Sequence, residues 1–229
     1  ELAPGRVICG ISTGDSAVWG VGLRPAKIEE LRDYILAVKA LLRGDPASWH
    51  GNTFAAQWRH FEPFDLPVYV ACAGPKSMRM AAQVADGLIL SVGVSDDDLR
   101  WAQTQIVDAC REVGRDPNEV DVWHYTEIIF ANSASIAAQE GLGSFSHWLT
   151  LGGTVGKRIP PEYLPALAQL NTDSKDVEAT YATEDRGRTM VKRAKKLGVY
   201  DWLTSRSPCL WGTPRDIGQR LDFLRGRGV

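Results

Sequence analysis

Along the first 130 residues, short continuous apolar runs alternate with segments in which apolar residues recur at helical spacing. This alternation predicts strands separated by helices. Short apolar runs at residues 6–11, 68–73, 87–91 and 120–131 are typical of buried strands, and the last is rich in β-branched and aromatic side chains. Between the first two runs, Gly44 ends a predicted amphipathic helix. Its apolar residues are Ile28, Leu31, Ile35, Val38 and Leu42.

Two further helices are predicted between the later strands. The helix after Gly74 places small or flexible apolar residues on one face, and the next begins at Ser95 and runs to Gly114. A hydroxyl cap followed by acidic residues satisfies the first N–H groups and the helix dipole. Strands alternating with helices imply parallel pairing through right-handed crossovers. The pattern therefore predicts an α/β fold, either a doubly wound sheet or a (β/α)8 barrel.

Composition and charge narrow the function classes. The chain has 229 residues, of which 44% are hydrophobic and 24% charged, so one domain with a sizeable core is expected. A net charge of −2 gives no electrostatic reason to expect nucleic acid or an anionic membrane surface. No apolar run is long enough to span a bilayer and the first residues lack a signal-peptide pattern, so we expect a cytoplasmic protein.

Cysteine and histidine spacing argues against a metal site. Cys9, Cys72, Cys110 and Cys209 are widely separated and form no C-x-x-C pair, so we interpret them as free thiols. The four histidines show no metal-ligand spacing either. We therefore predict no metal ion.

Residues 68–90 carry the strongest functional signal, because they read as strand, glycine turn, helix and second strand. In the turn, Ala73 and Gly74 have little or no side chain to cover the backbone, and the next helix begins at Pro75. The positive end of a helix, with its unpaired N–H groups, attracts an anion such as a phosphate. The alternative is a tight turn that binds nothing. The candidate phosphate contacts are Ala73, Gly74, Lys76 and Ser77.

The same residues support a resemblance to a known family. The pattern A-x-x-G-P-K-S-x-x-x-A-A-x-x-A-D-G-x-I-L resembles a recurring stretch of the bacterial luciferase-like oxidoreductases, which use FMN or the deazaflavin coenzyme F420. The stretch from Gly5 to Asp45 is similar to the family's G-R-x-x-x-G-x-x-x-G-D/E strand and turn, with its following helix. Gly114-Arg115-Asp116-Pro117 and Gly212-Thr213-Pro214 fit in the expected order, whereas residues 140–205 match only loosely.

This resemblance implies a partial (β/α)8 barrel. The four predicted strands would be the fourth to the seventh, so the first three and the last would be absent from residues 1–229. Residues 132–205 would be a mostly helical insertion between strands seven and eight, either at the barrel mouth or packed outside. A half-barrel exposes apolar strand edges, so we expect a homo-oligomer or completion by the missing barrel segments.

The resemblance also assigns roles in the first turn. In some deazaflavin-dependent relatives, the carboxylate matching Asp15 is proposed to protonate the reduced ring, while Thr13 and Gly14 would line the same pocket. The alternative is that Asp15 caps the next segment. Ser91, after the third predicted strand, is a candidate ring or substrate contact.

The expected function is that of a flavin- or deazaflavin-dependent oxidoreductase acting on a small organic substrate. With FMN it would be a monooxygenase, and with F420 it would transfer a hydride. The turn at Asp15 slightly favours F420. The alternatives are a non-catalytic flavoprotein or assembly subunit and, less well supported, a sugar-phosphate isomerase, for which no paired base and electrophile are evident.

Overall fold

The computed structural model describes residues 5–57, 65–150, 154–170, 186–206 and 210–229. The strands are Cys9–Ile11 (β1), Ala47–Trp49 (β2), Asn52–Phe54 (β3), Val68–Cys72 (β4), Gly87–Leu90 (β5), Asp121–His124 (β6), Ile128–Phe130 (β7) and Leu210–Gly212 (β8). The α-helices are Ser16–Gly20 (α1), Ile28–Leu42 (α2), Pro75–Val84 (α3), Asp96–Glu112 (α4), Ala134–Thr150 (α5), Leu164–Leu170 (α6), Arg186–Lys196 (α7), Tyr200–Ser205 (α8) and Pro214–Arg225 (α9). Cys209 lies outside the described residues.

The described strands form one four-stranded sheet and two smaller sheets. The larger sheet has the order β1-β4-β5-β6, which confirms the predicted order of neighbours. β4 pairs in parallel with β1 and with β5, and the register places Ile11 opposite Val70 and Cys72 opposite Leu90. β2 and β3 form an antiparallel hairpin. The fold is therefore α/β with a parallel sheet, as predicted.

The predicted strand at residues 120–131 is wrong as a single element. The structure ends β6 at His124 and begins β7 at Ile128. β6 belongs to the large sheet, whereas β7 pairs in parallel with β8. Because the two halves of this segment pair with different strands, the apolar run is divided at residues 125–127, where the Glu127 carbonyl already accepts from the Leu210 N–H of β8 over 2.8 Å.

A strand that was not predicted follows the helical connection. The four predicted strands do not include Leu210–Gly212, which the structure shows as β8, followed by the helix α9. Thr213 and Asp216 begin α9 with a complete capping box, in which each side chain binds the other residue's backbone N–H. A strand of three residues is too short to show a recognisable apolar pattern in the sequence.

The chain divides into two compact units, one comprising Glu1–Cys72, Lys76–Leu90 and Gln103–Trp123, the other Ala73–Pro75, Ser91–Ala102 and His124–Val229. In the first unit, Gly87 pairs with Tyr69 across β4 and β5. A Cβ atom on Gly87 would lie 2.6 Å from the Tyr69 ring, so only glycine leaves room for that ring. The Tyr69 hydroxyl donates to Asp121, and Trp123 donates to the same carboxylate over 2.8 Å.

The second unit has a helical core. Its buried members come from α5, α6, α7 and α8 and from the connection before α8. They are Leu142, Leu149, Leu167, Leu170, Met190, Val191, Ala194, Val199 and Leu203. A smaller buried cluster joins β8 and α9 with Val94. In the described part of the chain, no helix is long and apolar enough to cross a membrane.

Candidate functional site

The predicted site residues follow the carboxyl ends of three neighbouring strands. β1, β4 and β5 are parallel, so their carboxyl ends lie along one edge of the sheet. Thr13 to Asp15 come after β1, Ala73 and Gly74 after β4, and Ser91 directly after β5. Ligands of parallel α/β sheets bind outside this edge, and these three segments follow it in the chain.

The turn after β1 is held in one conformation by local contacts. Gly14 has a φ of +94°, and a Cβ there would lie 2.8 Å from Val18 Cγ1, so both backbone and space require glycine. The Gly14 N–H donates to Ser12 Oγ over 3.2 Å, and the Thr13 carbonyl accepts from the Ala26 N–H over 2.8 Å. These contacts hold the backbone that leads into Asp15.

Asp15 does not use its side chain to cap α1. It occupies the cap position, but its carboxylate makes no capping hydrogen bond. Its backbone carbonyl instead accepts from Val18 and Trp19, over 3.0 and 3.2 Å. Within the described residues, the buried Asp15 Oδ1 atom has no hydrogen-bond partner. Leaving a buried acceptor unpaired costs about 1–3 kcal/mol, so this oxygen is suited to a ligand.

The turn after β4 leaves space beside the backbone. Apart from its chain neighbours, no atom of the described residues would lie within 4 Å of a Cβ atom on Gly74, so a ligand group has room to approach the chain there. Pro75 is the first residue of α3, which keeps the start of that helix at the predicted position. The residues present therefore fit a cofactor phosphate.

The side chains in the first turn of α3 contribute less to this site. Lys76 is exposed. Burial raises the pKa of the Cys72 thiol to about 12, and a hydrogen bond with the Ser77 hydroxyl partly opposes that rise. Since the Ser77 hydroxyl is engaged with Cys72, the backbone N–H of Ser77 is the better candidate for a phosphate contact. Ser91 is half-buried.

His124 at the end of β6 is half-buried and has no assigned role. Its Nδ1 atom is buried and has no hydrogen-bond partner within the described parts of the chain. Burial lowers the pKa of His124, so the ring favours its neutral form. His124 alternates with the exposed Trp123 along β6 and so points to the opposite face of the strand.

The structure also shows a feature that the sequence analysis missed. The backbone at Gly156 lies close to Pro75, and Arg206 donates to the carbonyl of the next residue, Lys157. No sequence pattern links these residues, because they come from separate segments. In the described ranges, no group of three or more histidine, cysteine or acidic side chains has an arrangement that would hold a metal ion.

Comparisons of sequence identify relatives. The 5,10-methylenetetrahydromethanopterin reductase of Methanolobus tindarius is 30% identical over 129 residues, covering 55% of this chain and 39% of the relative. The F420-dependent glucose-6-phosphate dehydrogenase of Beutenbergia cavernae is 33% identical over 102 residues, covering 40% of this chain and 30% of the relative. The matched segments thus span less than half the length of these relatives.

Solved structures agree at the level of the fold. The coenzyme F420-dependent tetrahydromethanopterin reductase from Methanopyrus kandleri matches 98% of this chain and 67% of its own, with a TM-score of 0.65 and 20% identity. An F420-dependent secondary alcohol dehydrogenase in complex with an F420-acetone adduct matches over 96% of this chain and 61% of its own length, with a TM-score of 0.60 and 16% identity. A model of the luciferase-like monooxygenase family matches residues 1–229. The chain therefore belongs to the luciferase-like monooxygenase family.

Proposed function

We propose that this chain is the cofactor-binding part of an oxidoreductase that transfers a hydride between coenzyme F420 and a small organic substrate. We further propose the finer fold, in which β1, β4, β5 and β6 are the fourth to seventh strands of a (β/α)8 barrel. Residues 132–205 would be its mostly helical insertion. Relatives named as F420-dependent support the choice of coenzyme over FMN.

The Oδ1 atom of Asp15, which is buried and has no hydrogen-bond partner among the residues that the structure describes, carries this proposal. A carboxylate in a rigid turn beyond a strand end is placed to hold a proton, or to accept a hydrogen bond, at the edge of a bound ring system. When bound, F420 would supply hydride exchange, whereas FMN would supply oxygen chemistry. Thr13 and Gly14 would line the same pocket and position the Asp15 carboxylate beside the ring.

Ala73 and Gly74 would hold the cofactor phosphate. The open space beside Gly74 admits the group, and backbone N–H donors at the start of α3 would bind it with help from the helix dipole. Lys76 would add a solvent-screened charge, and Ser77 would contribute its N–H. Ser91, after the neighbouring strand, would contact the ring or the substrate.

The mass and absorption spectrum of the small molecule that co-purifies with the protein would test this function. An F420 mass supports hydride transfer, and an FMN mass supports the monooxygenase alternative. Protein that binds neither cofactor in a titration would contradict both. A bound cofactor that is reduced but turns over no substrate would instead favour a non-catalytic flavoprotein.

Association or completion of the barrel remains part of the proposal. Exposed apolar side chains on the strands support it, since Trp123 is 49% exposed and Phe130 62%. Covering such residues would require a second copy or further barrel segments. Light scattering of the purified protein would separate a homo-oligomer from a monomer. A cytoplasmic location also stays a prediction.

A further inference from the structure

We propose that the buried ion pair of Asp98 and Arg206 positions Ser91 against the ring of the bound cofactor, so that Arg206 is a positioning residue of the site. This role depends on the proposed function, in which Ser91 contacts the ring or the substrate, and it assigns Ser91 to the ring. Ser91, Asp98 and Arg206 all belong to the second compact unit.

The loop at residues 91–95 connects β5 to α4, and Ser91 is its first residue. Val92, Gly93 and Val94 are buried, and Ser91 is half-buried. The loop is therefore packed into the protein rather than exposed on its surface. Since packed backbone takes its conformation from the groups around it, those groups decide where Ser91 lies.

Gly93 brings the loop against both members of the ion pair. Its φ is +92°, and a Cβ atom on it would lie 3.0 Å from Asp98 Oδ2 and 3.6 Å from the carbonyl oxygen of Arg206. Both the backbone conformation and the lack of space require glycine here. The backbone two residues after Ser91 therefore depends on the positions of Asp98 and Arg206.

The carboxylate of Asp98 is held in one orientation. Arg206 Nη2 donates to its Oδ1 atom over 2.6 Å, and Ser95 Oγ donates to its Oδ2 atom over 2.6 Å. The Asp98 and Arg206 side chains are only 3% and 11% exposed. Arg158 lies 3.9 Å from the same Oδ1 atom and is 40% exposed, so Arg206 is the stronger partner.

Arg206 is itself fixed by contacts on its other side. Its Nη1 atom donates to the Lys157 carbonyl over 2.9 Å. Its Cζ atom lies 5.6 Å from the centre of the Trp202 ring in α8, within the range of a cation–π contact. A planar guanidinium can make these contacts together with the ion pair, whereas a lysine ammonium is a single point charge. Arg206 therefore links the loop that begins at Ser91 to α8.

The ion pair is better suited to fixing geometry than to adding stability. Removing two charges from water costs about as much as their attraction returns, so a buried pair often adds little over well-packed apolar side chains. Charge-assisted hydrogen bonds are directional, however, and favour one arrangement of the groups that they join. Apolar packing already holds the far end of the loop, where Val94 is buried with Leu210 and Ile217. Disturbing the ion pair should therefore displace the loop more than it unfolds the protein.

A double-mutant cycle would test whether Arg206 acts through Ser91. The affinity for F420, or for FMN if the protein binds that cofactor, is measured by fluorescence titration for the wild type, Ser91→Ala, Arg206→Lys and the double variant. Arg206→Lys keeps a charge beside Asp98 but loses the planar fork. Each single change should weaken binding about 5–10-fold, because each removes the same hydrogen-bonded contact with the ring. The double variant should be weaker than either single variant by less than about 2-fold.

Two further variants complete the experiment. Asp98→Asn combined with Arg206→Gln removes both charges without leaving one unpaired, and it replaces Arg206→Lys in the cycle if that variant does not fold. Arg225→Lys makes the same substitution at an exposed ion pair, whose atoms lie 3.5 Å apart, and should leave the affinity unchanged.

Four results would overturn the positioning role. Unchanged affinity in Arg206→Lys, with a lower urea midpoint, would show that the ion pair only stabilises the fold. Losses that multiply in the double variant would show that Arg206 does not act through Ser91. Unchanged affinity in Ser91→Ala would remove the ring contact but leave the proposed function standing. Wild-type protein that binds neither F420 nor FMN would overturn the proposed function as well.

Discussion

Replacing Asp15 separates a structural role from a chemical one, because the two roles predict opposite changes in stability. A capping aspartate would lose about 0.5–2 kcal/mol of stability on substitution by alanine. Asp15 makes no capping bond and keeps its Oδ1 atom buried without a partner within the described residues. Removing such an acceptor relieves a penalty of at most about 1–3 kcal/mol. Asp15→Ala should therefore leave the free energy of unfolding unchanged or raise it.

The same position should be sensitive in catalysis. Asp15→Asn retains the shape of the side chain and so should bind the cofactor almost as well as the wild type. Turnover should nevertheless fall about 10²–10⁴-fold if a general acid is lost. Urea unfolding of the cofactor-free variants gives the stability change, and steady-state kinetics with the bound cofactor give the turnover.

Two results would refute this reasoning. A loss of stability in Asp15→Ala, with Asp15→Asn close to wild type, would show that the side chain caps α1 after all. Wild-type turnover in Asp15→Asn would leave the cofactor site intact but remove Asp15 as the acid. The two measurements are independent, so each role can be excluded without the other.

Three other changes follow from the structure. Gly74→Val fills the open space beside the backbone and should weaken cofactor binding by about 1–3 kcal/mol, while exposed Gly20→Ala should not; equal affinities in a titration would contradict the phosphate site. Gly87→Ala places a Cβ 2.6 Å from the Tyr69 ring and should destabilise the fold by about 1–3 kcal/mol, and an unchanged urea midpoint would contradict this packing. The hydrogen bond to Asp121 and burial raise the pKa of Tyr69 from 10.0 to about 12. Its contribution to stability should be complete below pH 10 and be lost as the pH rises towards 12, and Tyr69→Phe should lack this loss when unfolding is measured across that range.

The strand order was predictable because each step of it is local. A strand, a helix and the next strand in a short stretch of chain can pair in parallel in only a few ways, and right-handed crossover selects one of them. Gly74 marks the turn of one such unit, and Gly14 marks the turn after β1. At Gly14 the backbone conformation and the nearby Val18 side chain require glycine, so this turn is marked by a residue type that can be recognised in the sequence.

The errors arose where tertiary pairing overrides local pattern. The apolar run at residues 120–131 gives no sign that β6 and β7 pair with different strands. β8 has three residues, so its alternation is too short to stand out from its surroundings. In both cases hydrogen bonding to a distant strand decides the outcome, and periodicity along the chain carries no information about that partner.

Asp98 shows that long-range side-chain contacts are equally hard to predict from the local sequence. The sequence gives Asp96, Asp97 and Asp98 one common interpretation, as the acidic first turn of a helix. In the structure the side chain of Asp97 is 68% exposed, whereas that of Asp98 is 3% exposed and binds Arg206, 108 residues further along the chain. A carboxylate buried to this extent is strongly destabilising unless a partner neutralises it, so the fold must bring an arginine to this point. Arg206 and Asp98 therefore form a long-range charge pair that no local sequence pattern predicts.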